Sequence, residues 1–242
     1  MHDIKILYED NHLLVVEKPP NMLSQGDITG DVDLLSILKD DLKQRYGKPG
    51  DAYLGLVHRI DRPVGGAMVF AKTSKAASRL TEQIKNRNFE KTYYAIVHGV
   101  PDKASGIFEH YLEKDERSNT VSVVPPLSNR GKKAILEFKV LESTENMSMV
   151  EINLHTGRSH QIRVQFATEG YPLYGDRKYG SPKKGTFIDG QTIGGRCMSP
   201  YIGEQIALWS VKIAFIHPTL KNTQEFRSIP PNIYPWSIFK IN

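Results

Sequence analysis

One cysteine, Cys197, stands in the 242 residues, so the chain can form neither an internal disulfide nor a multi-cysteine zinc site. No apolar run approaches the roughly eighteen residues that a membrane-spanning helix needs. Asp3, Lys5, Glu9 and Asp10 occupy the N-terminal stretch where a secretory signal would be apolar. The G-x-x-x-x-G-K-[ST], H-E-x-x-H and G-x-S-x-G motifs are missing, and no Gly-rich dinucleotide fingerprint follows a strand. The 8 histidines fall at no metal-ligand spacing. Nucleotide-driven chemistry, metal-dependent hydrolysis and membrane insertion thereby lose their sequence support. The expectation is a soluble, cytoplasmic, monomeric protein with no metal and no nucleotide cofactor.

What is present suits a globular chain: 39% hydrophobic and 24% charged residues, with glycine and proline dispersed. Lys and Arg number 32 against 27 acidic residues, a net charge of +5. So mild an excess is compatible with nucleic-acid binding without requiring it. The cations recur locally, in Lys72–Lys91, Arg130–Lys133, Arg158–Arg163 and from Arg177-Lys178 to Lys183-Lys184.

Periodicity outlines the elements. Ile4–Glu9 and Leu13–Glu17, joined at Asp10-Asn11, read as a hairpin that Lys18-Pro19-Pro20-Asn21 stops. Leu34, Leu35, Leu38 and Leu42 fall at helical spacing behind possible caps at Asp31 and Asp33, with Gly47 at the exit. Ala67–Lys72 reads as a buried strand. Thr73 then caps a helix with Ala76, Ala77, Leu80 and Ile84 on one face. Lys91–His98 is strand-like, and the alternating runs Leu136–Val140 and Val150–Leu154 make a hairpin around Ser143–Asn146. A helix is expected from about Ser159 to Ala167, ended by Gly170, and a last strand carries Val211, Ile213 and Phe215. The segment Tyr171–Gly203 has little periodicity, and loops of that length are more often functional than filler. With no repeat or linker, the expectation is one domain over residues 1–242. Its class is α+β, a mixed and mostly antiparallel sheet with flanking helices.

Polar residues crowd into otherwise apolar stretches. In Val57-His58-Arg59-Ile60-Asp61-Arg62-Pro63-Val64-Gly65-Gly66, an aspartate lies between two arginines, a setting that favours the carboxylate. Pro63 and the glycine pair force a turn and let another chain approach closely. Two tyrosines, Tyr93 and Tyr94, open a strand after Lys91-Thr92. In Leu154–Arg163, the residues Arg158, His160, Gln161 and Arg163 gather donors at a helix start, where positive charge is unfavourable unless an anion compensates it. Asp176 follows Gly175 as a turn-stabilising residue. It is also the one candidate for a second carboxylate if the chain were a glycosidase-type hydrolase using paired acids with Asp61. A catalytically silent nucleic-acid-binding or chaperone protein is the other alternative, but a pure binder has no need of a carboxylate facing phosphates.

H-R-I-D-R, K-T-Y-Y-A, L-H-T-G-R-S-H-Q-I-R and G-Y-P-L-Y-G-D-R-K-Y-G occur in one order along nearly the whole chain. This order resembles that of the RluA-type RNA pseudouridine synthases. The catalytic pattern starts by Ile4, so the resemblance is to a member without the small N-terminal RNA-binding domain. It implies a bent mixed sheet with a central RNA-binding cleft. It also implies an isomerase that turns uridine in a structured tRNA or rRNA stem-loop into pseudouridine. By position, the family's catalytic aspartate matches Asp61, its active-site tyrosine Tyr93, and the arginine that pairs with the aspartate Arg163. Arg59, Arg62, Arg158, His160, Gln161, Asp176, Lys132, Lys133, Lys183 and Lys184 are then the expected RNA-binding or cleft-supporting residues. The chain departs from the family pattern at Val64-Gly65-Gly66, where Thr-Ser-Gly is usual, at Leu136, where threonine is common, and at Leu208-Trp209-Ser210, where Leu-His-Ala is usual.

Overall fold

The structure, a computed structural model, describes residues 4–47, 49–180, 192–193, 196–197 and 205–241. It divides into two compact units, Met1–Lys91 with Ser210–Pro230 and Thr92–Trp209 with Pro231–Asn242. No helix among the described residues is long and apolar enough to cross a membrane.

The first unit opens on the expected hairpin. Strand β1 (Ile6–Glu9) runs antiparallel to β2 (Leu13–Lys18). Asp10 Oδ1 closes the connection by accepting the amides of His12 and Leu13. Helix α1 (Leu34–Arg45) starts at Asp33, whose carboxylate accepts the Ser36 amide, and buries Leu34, Leu38 and Leu42. Strand β3 (Gly55–Leu56) leads into the turn that holds Asp61 and then into β4 (Gly65–Ala71), every residue of which is buried. Helix α2 (Ser74–Lys85) is capped by Thr73 as its sequence predicts. Its Ala76 and Leu80 pack on Leu13, Val15, Val69 and the late residues Ile213 and Phe215. Each large side chain so buried contributes about 1.5–3 kcal/mol. β2 pairs antiparallel with β4, from Leu13↔Ala71 to Lys18↔Gly66.

The second unit is built on strands β5 (Glu90–His98), β6 (Ser105–Asp115), β7 (Thr120–Val124), β8 (Lys132–Ser143) and β9 (Met147–Leu154). They run antiparallel in the spatial order β5-β9-β8-β6-β7. Helix α3 (Gln161–Thr168) docks on them through Phe166, which meets Phe108 and Phe138 at ring separations of 5.1 and 5.8 Å. It begins two residues later than its pattern suggests, because His160 takes a left-handed φ of 50° and no side chain caps it. The short strands β10 (Thr192–Ile193) and β11 (Arg196–Cys197) pair with each other. Strand β12 (Leu208–Ile216) lies beside β4 and pairs with β13 (Thr223–Arg227). The expected α+β class, a mostly antiparallel sheet with few helices, describes what is observed.

One edge of β4 shows what the glycine pair does. Gly66 sits at φ 119°, and a Cβ there would collide with the Ser210 carbonyl and amide. Ser210 Oγ donates to Ala67 O at 3.0 Å. The close approach expected of the glycines is therefore to β12, where Gly66 meets Ser210, one of the departures from the family pattern. Gly66→Ala is expected to cost more than about 3 kcal/mol, combining a strained φ with a backbone clash. Chemical denaturation against the wild type measures it, and a cost below about 0.5 kcal/mol, the range of an ordinary surface change, would refute the contact.

Candidate active site

In the first unit, the residues around Asp61 are tied down from several sides. The carbonyl of Asp61 accepts the Val64 amide at 3.0 Å, which closes the turn. Just before it, Ser24 Oγ donates to Ile60 O at 2.7 Å and accepts the Ile60 amide at 3.2 Å. Just after it, Lys18 Nζ donates to Arg62 O at 3.1 Å. Further upstream, His58 Nε2 accepts the Val69 amide of β4 at 3.1 Å, so the ring carries its proton on Nδ1. Desolvation, then the positive charge of Lys91, pushes His58 down to about 3. The imidazole therefore stays neutral and keeps its acceptor. Asp61 itself is half-buried. These bonds leave its backbone little freedom while its side chain is not sealed in the core.

In the second unit, two motifs interlock at Arg163. Its Nε and one Nη each donate to Asp176 at 2.7 Å, a bidentate pair in which the Asp176 side chain is 0% exposed. Asp176 also accepts the amides of Lys178 and Tyr179 at 2.9 and 3.1 Å, the turn-stabilising role its position predicts. The Tyr179 ring lies under the Arg163 guanidinium at 5.1 Å, and its hydroxyl takes the Val121 amide at 2.9 Å and meets His160 Nδ1 at 2.7 Å. The guanidinium plane is thus set by a carboxylate along one edge and by a ring on one face. With both oxygens of Asp176 engaged and shielded, it cannot serve as the second acid of a glycosidase.

The other expected residues sort by what they touch. Gln161 is 2% exposed. It accepts from Thr156 Oγ1 and the Arg158 amide and donates to Ile135 O, so it supports the turn before α3 from inside. Arg158 Nε donates to Lys133 O at 3.0 Å. Arg62 is exposed, but its guanidinium is drawn to Asn21 O and to Asp31 Oδ2 at 2.6 Å. Arg59 and Lys132 are exposed. Lys133 is also exposed and pairs with Glu109 across β6 and β8 at 2.7 Å. Lys183 and Lys184 lie outside the described residues. On β5, Tyr93 is 6% exposed and opposite Ile152, whereas Tyr94 on the other face is half-buried.

Sequence reasoning missed Lys18, Ser24, His58 and Tyr179 as parts of these arrangements. His58 and Tyr179 stand inside quoted motifs without a role assigned to them there, and Lys18 carries a signal of its own. It continues the Leu14–Val16 row of β2 at a spacing of two, in a strand whose other residues are apolar apart from Glu17.

Comparison with known proteins gives these residues a context. The chain matches the RNA pseudouridylate synthase family over residues 12–168. It is 36% identical over 194 residues to the uncharacterized RNA pseudouridine synthase YlyB of Bacillus subtilis (strain 168), covering 79% of this chain and 62% of that protein. It is 30% identical over 231 residues to the ribosomal large subunit pseudouridine synthase D of Zymomonas mobilis subsp. mobilis (strain ATCC 31821 / ZM4 / CP4), covering 94% of this chain and 69% of that one. The chain spans about three fifths of the length of its Bacillus subtilis relatives, 62% of YlyB and 59% of YhcT. Among solved structures, the human RNA pseudouridylate synthase domain containing 4 superposes with a TM-score of 0.73 at 23% identity, over 94% of this chain and 88% of that one, which shows a shared fold. The match over 12–168 contains the braced Asp61 turn, the Tyr93 strand and the Arg163 helix, and on that ground the chain belongs to the RNA pseudouridylate synthase family.

Proposed function

We propose that the chain is an RNA pseudouridine synthase acting on uridine within a structured RNA stem-loop, with Asp61, Tyr93 and Arg163 as its catalytic residues. The observation that carries this is the bracing of the Asp61 turn by Ser24, Lys18 and its own Val64 amide, inside the family match. So much constraint on one half-buried carboxylate suits a group that must meet a reacting atom. The names of relatives that act on the ribosomal large subunit favour rRNA over tRNA as the substrate class. Both units work as one catalytic domain, as a monomer in the cytoplasm, without metal or nucleotide cofactor.

The reaction breaks the bond from ribose C1′ to uracil N1 and joins C1′ to C5. A proton leaves C5 and N1 gains one, so nothing is oxidised and no energy input is needed. The target base must leave its stack at a cost of a few kcal/mol. Asp61 then either attacks the sugar or abstracts a ribose proton. Arg163, its plane fixed by Asp176 and Tyr179, orients the carboxylate. Tyr93 stacks on the extruded uracil and helps remove the C5 proton. Arg59, Arg62, Arg158 and His160 support RNA binding, and Lys132, Lys133, Lys183 and Lys184 grip phosphates.

Asp61→Asn is expected to fold, to bind RNA at least as tightly because one negative charge is gone, and to lose about 100- to 10,000-fold or more in turnover. Tritium release from C5-labelled uridine in bulk tRNA and rRNA transcripts, beside a binding titration, measures this. Free uracil from the wild type would mark a hydrolase, no release would mark a binder, and pseudouridine from the Asn variant at near wild-type rate would remove Asp61 from the mechanism.

Tyr93→Leu deletes a stacking platform worth about 1–3 kcal/mol and is expected to slow turnover accordingly. Tyr93→Phe isolates the hydroxyl: full activity in that variant rules out proton transfer through it. Tyr94→Leu is expected to leave turnover unchanged, read well below each variant's melting temperature.

The exposed Lys133–Glu109 pair is worth little, since its side chains are 46% and 49% exposed, so it opens readily toward a phosphate. Neutralising Lys132 and Lys133 together is expected to lower the slope of log affinity against log salt by about two. An unchanged slope would make them solubilising surface.

A further inference from the structure

The Arg62–Asp31 pair of the first unit is built unlike the pair at Arg163. Arg62 follows Asp61 directly in the chain. Its Nε donates to Asn21 O at 3.3 Å, and Nη1 donates to Asp31 Oδ2 at 2.6 Å. A guanidinium carries five N–H donors in one plane. Those left over, on the two Nη atoms, have no protein acceptor among the described residues. Both side chains are about half exposed, and one nitrogen meets one oxygen. Arg163 and Asp176, by contrast, form a shielded two-bond fork. An exposed single contact contributes little and exchanges readily, whereas the fork onto a carboxylate or phosphate is the strong form of the interaction.

Asp31 is carried by a loop pinned at both feet. At one foot Ser24 is bonded to Ile60; at the other Leu34 donates to Leu23 O and Asp33 caps α1. Between them every residue from 25 to 32 is exposed, Ile28 and Val32 included, so burial does not hold the loop in place. Its turn is tied internally: Asp27 Oδ1 accepts the Thr29 amide and hydroxyl, and Gly30 N donates to Asp27 O at 3.4 Å. Residues 27–31 can therefore swing as one piece while α1 and the Asp61 turn stay where they are. The Thr29 bonds, with the Arg62 charge adding to them, hold the Asp27 carboxyl below its ordinary range, so the loop brings a second negative charge to Arg62. Acids so close to a turn that faces a polyanion must give way when it binds.

We infer that Arg62 marks a phosphate subsite beside Asp61, filled in the free protein by the Asp31 carboxylate and in the complex by a backbone phosphate of the RNA, which displaces the 27–31 turn. This rests on the reading that the Asp61 turn faces RNA. The exchange is favourable because a phosphate offers several oxygens to the unspent Nη donors and makes the two-bond contact that Asp31 does not. Nε stays on Asn21 O throughout, so the guanidinium keeps its aim. Asp31 keeps the arginine ordered and covered until RNA arrives, and lowers the affinity of any RNA using the subsite by the factor with which it holds Arg62.

The test is a double-mutant cycle on binding, with fragmented bulk rRNA transcripts as the probe at about 0.15 M salt. Asp31→Asn should bind about 3- to 10-fold more tightly than the wild type. Asp51→Asn, which removes a fully exposed charge elsewhere in the unit, should gain less than about twofold. In an Arg62→Gln background the gain from Asp31→Asn should shrink by about two- to fivefold, the range of an exposed pair. An equal gain in both backgrounds would make Asp31 a general repulsive charge and overturn the subsite. Amide NMR follows the loop and does not depend on the Arg62 variant folding. The Thr29 and Gly30 signals of free Asp31→Asn should move toward their positions in RNA-bound wild type, and signals indifferent to RNA would also overturn the subsite. Inorganic phosphate should leave them in place at low millimolar concentration; a shift at submillimolar phosphate would give the site to a free anion and refute the RNA assignment. A wild type that forms pseudouridine without the coupling would defeat the subsite alone. One that binds RNA without forming pseudouridine would defeat the proposed function while the cycle still decides the subsite, and one that binds no RNA would defeat both.

Discussion

A buried ammonium must find three acceptors or give up its proton, and the first unit is arranged around that demand. Lys18 is carried into the interior because it continues the apolar row of β2, and once there it can be satisfied only by carbonyls brought from elsewhere. The Pro19–Met22 turn brings two of them and the Asp61 turn brings the third. Ser24 adds its ties to Ile60, and α1 begins where Leu34 donates to Leu23 O. The position of the Asp61 backbone thus follows from the hydrogen-bond accounting of a side chain 43 residues earlier in the 242-residue chain.

The second unit applies the same rule with the charges exchanged. An ionised carboxylate accepts at about four sites. Asp176 spends its oxygens on two guanidinium N–H groups and two turn amides, which leaves the 171–180 segment and α3 joined through one shielded group. Replacing such a group by an apolar one would leave several donors unsatisfied at once, which makes this site less tolerant than an apolar core position.

Much of this was legible beforehand. The β1–β2 hairpin, the Asp33 and Thr73 caps, the β8–β9 hairpin and β12 all follow from alternation or helical spacing, because each has one strongly apolar face. The β6–β7 hairpin escaped notice: Ser105–Asp115 mixes charge with apolar residues, and Ile107 stays 66% exposed, so no clean face appears. The start of α3 was misplaced because a left-handed His160 has no sequence signature of its own. At the candidate site, Asp61, Tyr93 and Arg163 are singled out by the resemblance of their motifs to the family's rather than by the crowding of polar residues alone, and Asp176 by its place after Gly175. Lys18 and Ser24 are not, since their importance lies in carbonyls that only the folded chain brings to them. Net charge was a poor guide for a related reason: Arg45 and Lys72 are paired with Glu9, and Arg62 with Asp31, so several cations answer to the protein's own acids.

The first unit is discontinuous in the chain, with Ser210–Pro230 returning to residues laid down before Lys91. His217 completes that return, donating from Nε2 to Asp10 at 2.9 Å while its Nδ1 accepts the amides of Thr219 and Leu220. On the ribosome, the apolar surface of β2, β4 and α2 that Ile213 and Phe215 will cover is therefore made long before its cover. At ordinary rates of about 5–20 residues per second, the interval is on the order of ten seconds. Through that interval the nascent first unit presents an incomplete core to the cell, and the long Thr92–Trp209 stretch of the second unit emerges before the first can close.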